Sequence, residues 1–219
     1  SEEITPLTLS SELFTQTWKG NFTTSYLLQD TKQYQTSVRA GLGKRREERF
    51  VNSAQLTPQD LSTVTLGVDH TRYLENSVLT ASLCGDLGLT ILGATNDPVG
   101  ITDDTPHAQF QKINASLGYT RAFPGIATFS TSVFGQYSPT ALFSGDQLTL
   151  GSKSTIRGFS SAQLKADSGF YWRNEMTFAL PAEKFFAGND GASMWARDMV
   201  SKLNPYAFVD VGHGWDKAN

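Results

Sequence analysis

Apolar and polar residues alternate with a period of two through most of the chain before residue 190, where helical periodicity is nearly absent. The clearest case is residues 170–180, whose apolar face carries Phe170, Trp172, Met176, Phe178 and Leu180. The other face carries Tyr171, Arg173, Glu175 and Thr177. Because successive side chains of a strand point to opposite faces, the pattern predicts an all-β, antiparallel fold.

The alternation predicts about nine strands, near residues 7–16, 22–29, 35–43, 61–71, 77–87, 112–121, 126–137, 169–180 and 203–213. The predicted connections alternate in length. Asp30–Tyr34, Arg72–Asn76 and Ala122–Gly125 are short, and Lys44–Asp60, Gly88–Gln111 and Ser138–Ser168 are long. Thr17–Asn21 and Pro181–Lys202 depart from the rule, and residues 193–203 favour a short helix. Short turns on one rim and long loops on the other are typical of outer-membrane barrels.

The polar faces of the predicted strands contain charged residues, among them Asp69, Lys112, Arg173 and Glu175. In a dry core each unpaired charge would cost several kcal/mol. A water-filled lumen removes that cost, with the apolar faces turned to lipid. The pattern therefore predicts a transmembrane β-barrel, although no apolar run approaches the roughly 18 residues of a spanning helix.

Composition removes several other classes of function. The chain has 219 residues and a net charge of -3, so nucleic acid is a poor candidate partner. Cys84 is the single cysteine, which excludes an internal disulfide and a cysteine-cluster metal site. Lys44–Arg49 alternates in sign and reads as the polar extension of a strand, where basic residues would meet lipopolysaccharide phosphates.

Candidate catalytic and metal sites are weak. His70, His107 and His213 each lie near acidic residues, but no G-x-S-x-G run accompanies them. Asp103-Asp104 and Asn96-Asp97 read as a solvated loop rather than a Ca²⁺ site. We therefore predict no enzyme activity, no catalytic residue, no metal and no cofactor.

Two short motifs are the main candidates for function. One is Ile156-Arg157-Gly158-Phe159, and the other is Phe208-Val209-Asp210-Val211-Gly212, where alternation puts Phe208, Asp210 and Gly212 on one face. Further short runs accompany them in a fixed order: Gln109-Phe110, Gly135–Tyr137, Leu148–Gly151, Gly169–Glu175 and Pro205–Gly214. Taken together, these runs resemble the two-partner secretion transporters, also called haemolysin activators or TpsB proteins. The family usually has Val where Ile156 stands.

The resemblance implies a barrel of 16 strands behind two periplasmic polypeptide-binding (POTRA) domains. It implies that the loop 138–168 folds back into the lumen, with Arg157 at its tip paired to Asp210. Phe208 would pack against the tip, Gly212 would leave room for it, and Arg173 and Glu175 would face the lumen. An odd strand count does not close a bacterial barrel. We therefore expect residues 1–219 to be one incomplete barrel domain, without the periplasmic domains and the last strands.

The function implied is an outer-membrane pore of a Gram-negative bacterium that secretes a large unfolded exoprotein (a haemolysin, adhesin or contact-dependent toxin) by type V secretion. Expected partners are that exoprotein, outer-membrane lipid and lipopolysaccharide, and the full-length protein is expected to be a monomer. Two alternatives stay open. One is an insertase-type barrel of the same superfamily that folds other membrane proteins, and the other is a soluble β-rich binding domain.

Overall fold

The computed structural model describes residues 13–51, 54–55, 58–158, 163–180 and 194–217. Their elements are β1 (Leu13–Asp30), β2 (Tyr34–Val51), β3 (Ala54–Gln55), β4 (Gln59–Leu74), β5 (Ser77–Leu89), β6 (Gln111–Phe123), β7 (Ala127–Tyr137), β8 (Leu148–Leu150), β9 (Leu164–Ala166), β10 (Ser168–Phe178), α1 (Met194–Ser201) and β11 (Tyr206–Trp215). The long strands form one antiparallel sheet in the order β1-β2-β4-β5-β6-β7-β10-β11. The predicted all-β, antiparallel fold is confirmed.

The prediction of two strands near residues 7–16 and 22–29 is wrong. A single strand, β1, runs from Leu13 to Asp30, and residues 7–12 lie outside the described part of the chain. The predicted connection Thr17–Asn21 is part of this strand, where Gly20 and Asn21 lie in register with Lys44 and Gly43 of β2. Hydrogen bonds to a long neighbouring strand override the local turn preference. The described sheet therefore has eight long strands rather than about nine.

Connections differ in length at the two ends of the sheet. One end carries the short connections 31–33, 75–76 and 124–126, and the other carries 90–110 and 138–167. The predicted loop from Lys44 to Asp60 is largely strand, because β2 extends to Val51 and β4 begins at Gln59. The connection 179–205, at the short-turn end, contains α1, in agreement with the helix predicted at 193–203.

The two faces of the sheet differ in polarity along its whole width. Leu117, Val133, Trp172 and Val211 are successive register partners on β6, β7, β10 and β11, and each is between 40% and 51% exposed. Other exposed apolar residues on this face include Phe22, Leu42, Leu66, Leu83, Ile113, Phe170 and Phe178. An exposed apolar surface of this extent marks contact with a membrane or another protein.

The opposite face holds charged side chains in pairs. Arg39 Nη1 donates to both oxygens of Asp69, at 3.0 and 2.8 Å. Asp86 accepts hydrogen bonds from Thr65 Oγ1 at 2.6 Å and Asn114 Nδ2 at 3.1 Å. Each of these bonds crosses between strands, so the polar face is a connected surface that also stabilises the sheet.

The connection 138–167 covers part of this polar face. Its residues Leu148, Leu150 and Ile156 are buried together against Phe134 of β7 and Tyr171 of β10. The Phe134 and Tyr171 rings stack with their centroids 5.2 Å apart. This small apolar cluster fixes the loop on the sheet. Among the described residues, no helix has the length and apolar character needed to cross a membrane.

Asp167 closes the base of the loop. It is 1% exposed, and its Oδ1 accepts hydrogen bonds from Leu142 N at 2.8 Å and Gln147 Nε2 at 3.0 Å. Its Oδ2 accepts from Lys217 N at 3.0 Å. One buried carboxylate therefore joins the start of the loop to the end of β11, and each donor would lose a partner if the carboxylate were removed.

Asp167→Asn tests this closure. The amide nitrogen cannot accept a hydrogen bond, so at least one buried N–H loses its partner at a cost of about 1–3 kcal/mol. We expect faster protease cleavage within 138–167 of the full-length protein, measured against Asp30→Asn at the exposed end of β1. Equal cleavage rates in the two variants would contradict this account of the loop base.

Candidate functional site

The tip of the loop is a tight turn over residues 151–158. Ser152 N donates to Thr155 Oγ1 at 3.1 Å, and Thr155 N donates to Ser152 O at 3.3 Å. Gly151 and Gly158 have φ angles of 85° and 96°, in the left-handed region that glycine adopts without strain. The chain therefore turns immediately before and after the segment that presents Arg157.

Arg157 binds Asp210 of β11 through three donors. Nε lies 2.7 Å from Oδ2, Nη2 lies 2.8 Å from Oδ1, and the backbone N lies 3.0 Å from Oδ2. The first two bonds form a planar two-pronged contact that guanidinium and carboxylate groups match well. The Asp210 side chain is 1% exposed and that of Arg157 is 15% exposed, so the contact is largely removed from solvent.

A second carboxylate, Glu175 of β10, accepts a hydrogen bond from Arg157 Nη1. The hydrogen bond to Asp210, and after it the one to Glu175, raise the pKa of Arg157 against the opposing effect of burial. The guanidinium therefore keeps its charge at all physiological pH values. The Phe208 ring lies 4.1 Å from the Arg157 Cζ, which adds a cation–π contact.

Arg173 supports the turn from the neighbouring strand. Its Nη1 donates to the backbone carbonyl of Ser154 at 2.9 Å. Arg173 and Asp210 are register partners on β10 and β11. The cluster formed by Arg157, Arg173, Glu175 and Asp210 therefore contains two arginines and two carboxylates, and it carries no formal net charge.

Gly212 gives the tip room to approach the sheet. A Cβ at this position would lie 2.5 Å from Ile156 Cδ1 and 2.8 Å from the backbone oxygen of Phe170. Such distances are below any normal contact. Ile156 itself is 8% exposed and packs with Leu148 and Leu150. The absence of a side chain at Gly212 therefore sets how deeply Ile156, and with it Arg157, reaches the sheet.

The structure brings most of the sequence-derived candidates together. Ile156, Arg157 and Gly158 form the tip, Phe208, Asp210 and Gly212 share one face of β11, and Arg173 and Glu175 lie beside them on β10. Phe159 lies outside the described residues. Sequence reasoning placed Glu175 in the lumen without naming it as a partner of Arg157. The sequence did contain a signal for this contact. Because β10 and β11 are consecutive long strands, alternation predicts that Glu175 and Asp210 lie close together on one face of the sheet.

A further anchor of the loop was missed. Asp146 binds Arg45 of β2 at 2.5 Å, and its backbone oxygen accepts hydrogen bonds from Lys112 Nζ and Gln136 Nε2, both at 3.3 Å. Arg45 was read as part of a solvated strand extension. Its partner lies 101 residues away along the chain, a separation at which no local sequence signal exists.

The histidines considered for catalysis make other contacts. In the described part of the chain, His70 Nδ1 lies 2.9 Å from Thr36 Oγ1. His107 lies between Asp97 Oδ2, at 3.1 Å from its Nδ1, and the Thr102 carbonyl, at 3.2 Å from its Nε2. Asp97 also accepts from the backbone N–H groups of Ala108 and Gln109, at 2.7 and 3.0 Å. The hydrogen bonds of His107 and Asp97 all join residues within the connection 90–110, so they stabilise its conformation.

Sequence comparison finds a matching protein family and several relatives of this chain. Residues 13–219 match the family described as haemolysin secretion/activation protein ShlB/FhaC/HecB. The outer membrane transporter CdiB of Dickeya dadantii is 30% identical over 180 residues, covering 81% of this chain and 30% of that protein. The haemolysin transporter protein ShlB of Serratia marcescens is 27% identical over 170 residues, which cover 76% of this chain and 30% of that protein. The chain thus spans 30% of the length of each of these relatives.

Comparison with solved structures also finds proteins named CdiB. CdiB from Escherichia coli superposes with a TM-score of 0.73 at 26% identity, over 78% of this chain and 32% of that one. CdiB from Acinetobacter baumannii superposes with a TM-score of 0.70 over 93% of this chain and 33% of that one. At 22% identity, this second similarity concerns the fold alone.

Replacing Arg157 tests the contact at the tip. We expect Arg157→Ala to lower the free energy of unfolding by about 3–5 kcal/mol, because it leaves the Asp210 carboxylate buried without its partner. Arg157→Lys should recover only part of this loss, since an ammonium cannot form the planar fork. Chemical unfolding of the full-length protein measures both variants. Lys153→Ala, at an exposed position of the same turn, is the control, and a loss as large at Lys153 would contradict the assignment.

Gly212→Ala tests the close approach of Ile156. The added methyl group overlaps Ile156 Cδ1, and we expect a destabilisation of about 1–3 kcal/mol together with faster protease cleavage near the tip. Gly85→Ala is the matched control, because a Cβ at Gly85 would meet nothing within 4 Å. If the two alanines were equally well tolerated, the loop would not lie on Gly212.

Proposed function

The chain belongs to the haemolysin secretion/activation protein ShlB/FhaC/HecB family, and we propose that it forms part of an outer-membrane pore that secretes an unfolded partner exoprotein. The observation that carries this proposal is the combination of two faces on one sheet. One face is apolar and exposed across β1 to β11, and the other is charged, paired and covered in part by the loop 138–167. Lipid on one side and a water-filled lumen on the other account for both.

The proposed barrel needs more strands than the described ones. Within the described part of the chain, β1 and β11 each have a strand neighbour on one side only. Hydrocarbon does not tolerate free backbone N–H and C=O groups, so the remaining sides must be paired within the full-length protein. We propose that residues 1–219 are one incomplete barrel domain, that the whole barrel has about 16 strands, within the even numbers usual for such barrels, and that it works as a monomer.

In this proposal the loop 138–168 lies in the lumen and partly obstructs it. The Arg157 cluster holds its tip, and the Asp146–Arg45 pair and Asp167 hold its base. A polypeptide that displaces the loop exposes both partners of each pair to the water of the lumen, and their hydration offsets part of the cost of separating them. They therefore suit a loop that is held at rest and displaced when a polypeptide passes.

The apolar face supports lipid as a partner more strongly than the basic run supports lipopolysaccharide. Lys44 Nζ lies 3.3 Å from Asp60 Oδ1 and donates to the Leu92 carbonyl at 2.9 Å. Arg46 Nε lies 2.8 Å from Glu48 Oε1, and the Arg46 side chain is 51% exposed. Much of the positive charge is therefore already paired. Arg46, next to Trp18 in the register, is the residue we propose for a lipopolysaccharide phosphate.

The alternative functions have less support. A soluble binding domain would not leave Leu66, Leu83, Leu117 and Trp172 exposed on one continuous face. The relatives compared above are described as transporters, and this favours secretion over membrane-protein insertion and over an enzyme activity.

Secretion of the partner is the direct test. We expect cells that carry the full-length protein together with its exoprotein to release that exoprotein into the medium, and the purified protein to conduct ions in planar bilayers. Deleting the transporter should abolish release while the exoprotein is still made. Normal release from the deletion strain, or a protein that stays folded in buffer without detergent and does not conduct, would contradict the proposal.

Leu117→Arg tests which face meets lipid. A charge at the middle of the membrane on the lipid face costs about 2–4 kcal/mol, and we expect a corresponding loss of folded protein in vesicles. Ser116→Arg is the matched control, since it lies at the same depth on the opposite face. Equal losses, or a larger loss for Ser116→Arg, would mean that the two faces have been assigned in reverse.

A further inference from the structure

Helix α1 lies at the end of the sheet that carries the short turns. It runs from Met194 to Ser201, and the chain enters β11 at Tyr206. The four residues between them reach at most about 14 Å when extended. The Pro205 carbonyl accepts a hydrogen bond from Phe178 N at 2.8 Å, which ties the end of this connection to the last residue of β10. The helix is therefore confined to the rim of the proposed barrel.

The helix is amphipathic, and in the described part of the chain its apolar side is at least half exposed. Trp195, Met199 and Leu203 are spaced by four residues, so they form a single stripe along one side of the helical segment. They are 68%, 53% and 50% exposed, so the sheet does not bury them. The flank of this stripe carries the ion pair between Asp198 and Lys202, at 2.6 Å, with both side chains more than half exposed.

Other apolar side chains are exposed at the same end of the sheet. Leu74, Ile126 and Phe178 are 47%, 65% and 42% exposed there. Ala179 N donates to the Ile126 carbonyl at 2.9 Å, which joins the short turn to the beginning of the connection that holds the helix. The connection that holds the helix therefore begins and ends at the short-turn end of the sheet, where apolar side chains of the strands and turns are exposed.

We propose that α1 lies in the plane of the inner leaflet of the outer membrane, with Trp195, Met199 and Leu203 inserted among phospholipid chains. This inference rests on the proposed function, because outer-membrane barrels have their short turns on the periplasmic side, at the inner leaflet. Tryptophan is the side chain that favours the boundary between headgroups and hydrocarbon. Lys202, at the edge of the stripe, is paired with Asp198 but highly exposed, so its ammonium group can exchange that carboxylate for a lipid phosphate while its stem stays apolar. Such a helix is buried by about 5–10 Å at the boundary.

Contact with lipid accounts for the residue types along the exposed side of α1 better than contact with a protein partner does. Aromatic residues and methionine are common in protein interfaces too, but lysine is depleted there. The segment instead combines one tryptophan, flexible or branched aliphatic side chains, and Lys202 beside them, which is the composition of interfacial helices. The helix would then brace the rim between β10 and β11, the two strands that hold Glu175 and Asp210.

Spin labels on the full-length protein in phospholipid vesicles test the inference. In a Cys84→Ser background, a nitroxide is attached at Met199→Cys, at Ser201→Cys about 200° further round the helix, or at Leu117→Cys on the apolar face. We expect the label at 199 to collide more often with oxygen and less often with a water-soluble nickel chelate than the label at 201. The label at 117 should show the strongest preference for oxygen.

The three positions separate the possible failures. High nickel access at both 199 and 201, with lipid access at 117, would overturn the membrane contact of α1 and leave the proposed barrel standing. Low access of both reagents at 199 would mean that another part of the protein covers the stripe, and would also overturn it. High nickel access at 117 would overturn the proposed barrel, and the inference with it.

Discussion

The carboxylate of Asp210 is the feature on which the arrangement of the site depends. It is almost completely buried, and three donors of one residue, Arg157, satisfy it. A buried carboxylate without such donors would be strongly unfavourable. The bond therefore fixes the loop tip on β11, brings Ile156 over Gly212, and completes the apolar cluster with Leu148 and Leu150. Loop and sheet stabilise each other through one charged contact.

Much of the fold was predictable because the two faces of the sheet differ so strongly in polarity. Alternation in residues 170–180 identified β10 and its faces, and the same reasoning placed Phe208, Asp210 and Gly212 on one side of β11. The alternation of turn and loop lengths followed from the spacing of the predicted strands along the chain. The pairing of Arg157 with Asp210 was different, because only the resemblance to a known family implied it.

What sequence reasoning missed involves partners that are distant along the chain. The continuity of β1 through Gly20 and Asn21 depends on Lys44 and Gly43 in the neighbouring strand. The bond between Arg45 and Asp146 and the three donors to Asp167 likewise join segments that only the folded sheet brings together. Local propensity describes a residue in isolation, and here the neighbouring strand or loop decides its conformation.

A double-mutant cycle on Arg157 and Asp210 tests whether these two side chains stabilise the protein through their mutual contact. The free energy of unfolding of the full-length protein is measured for Arg157→Ala, Asp210→Ala and the double variant. The account predicts that the double variant is much less destabilised than the sum of the two single losses, with a coupling energy toward the upper end of the usual range of about 0.5–3 kcal/mol for residues in contact. Losses that add within about 0.5 kcal/mol would show that the two side chains act independently, and would contradict the account.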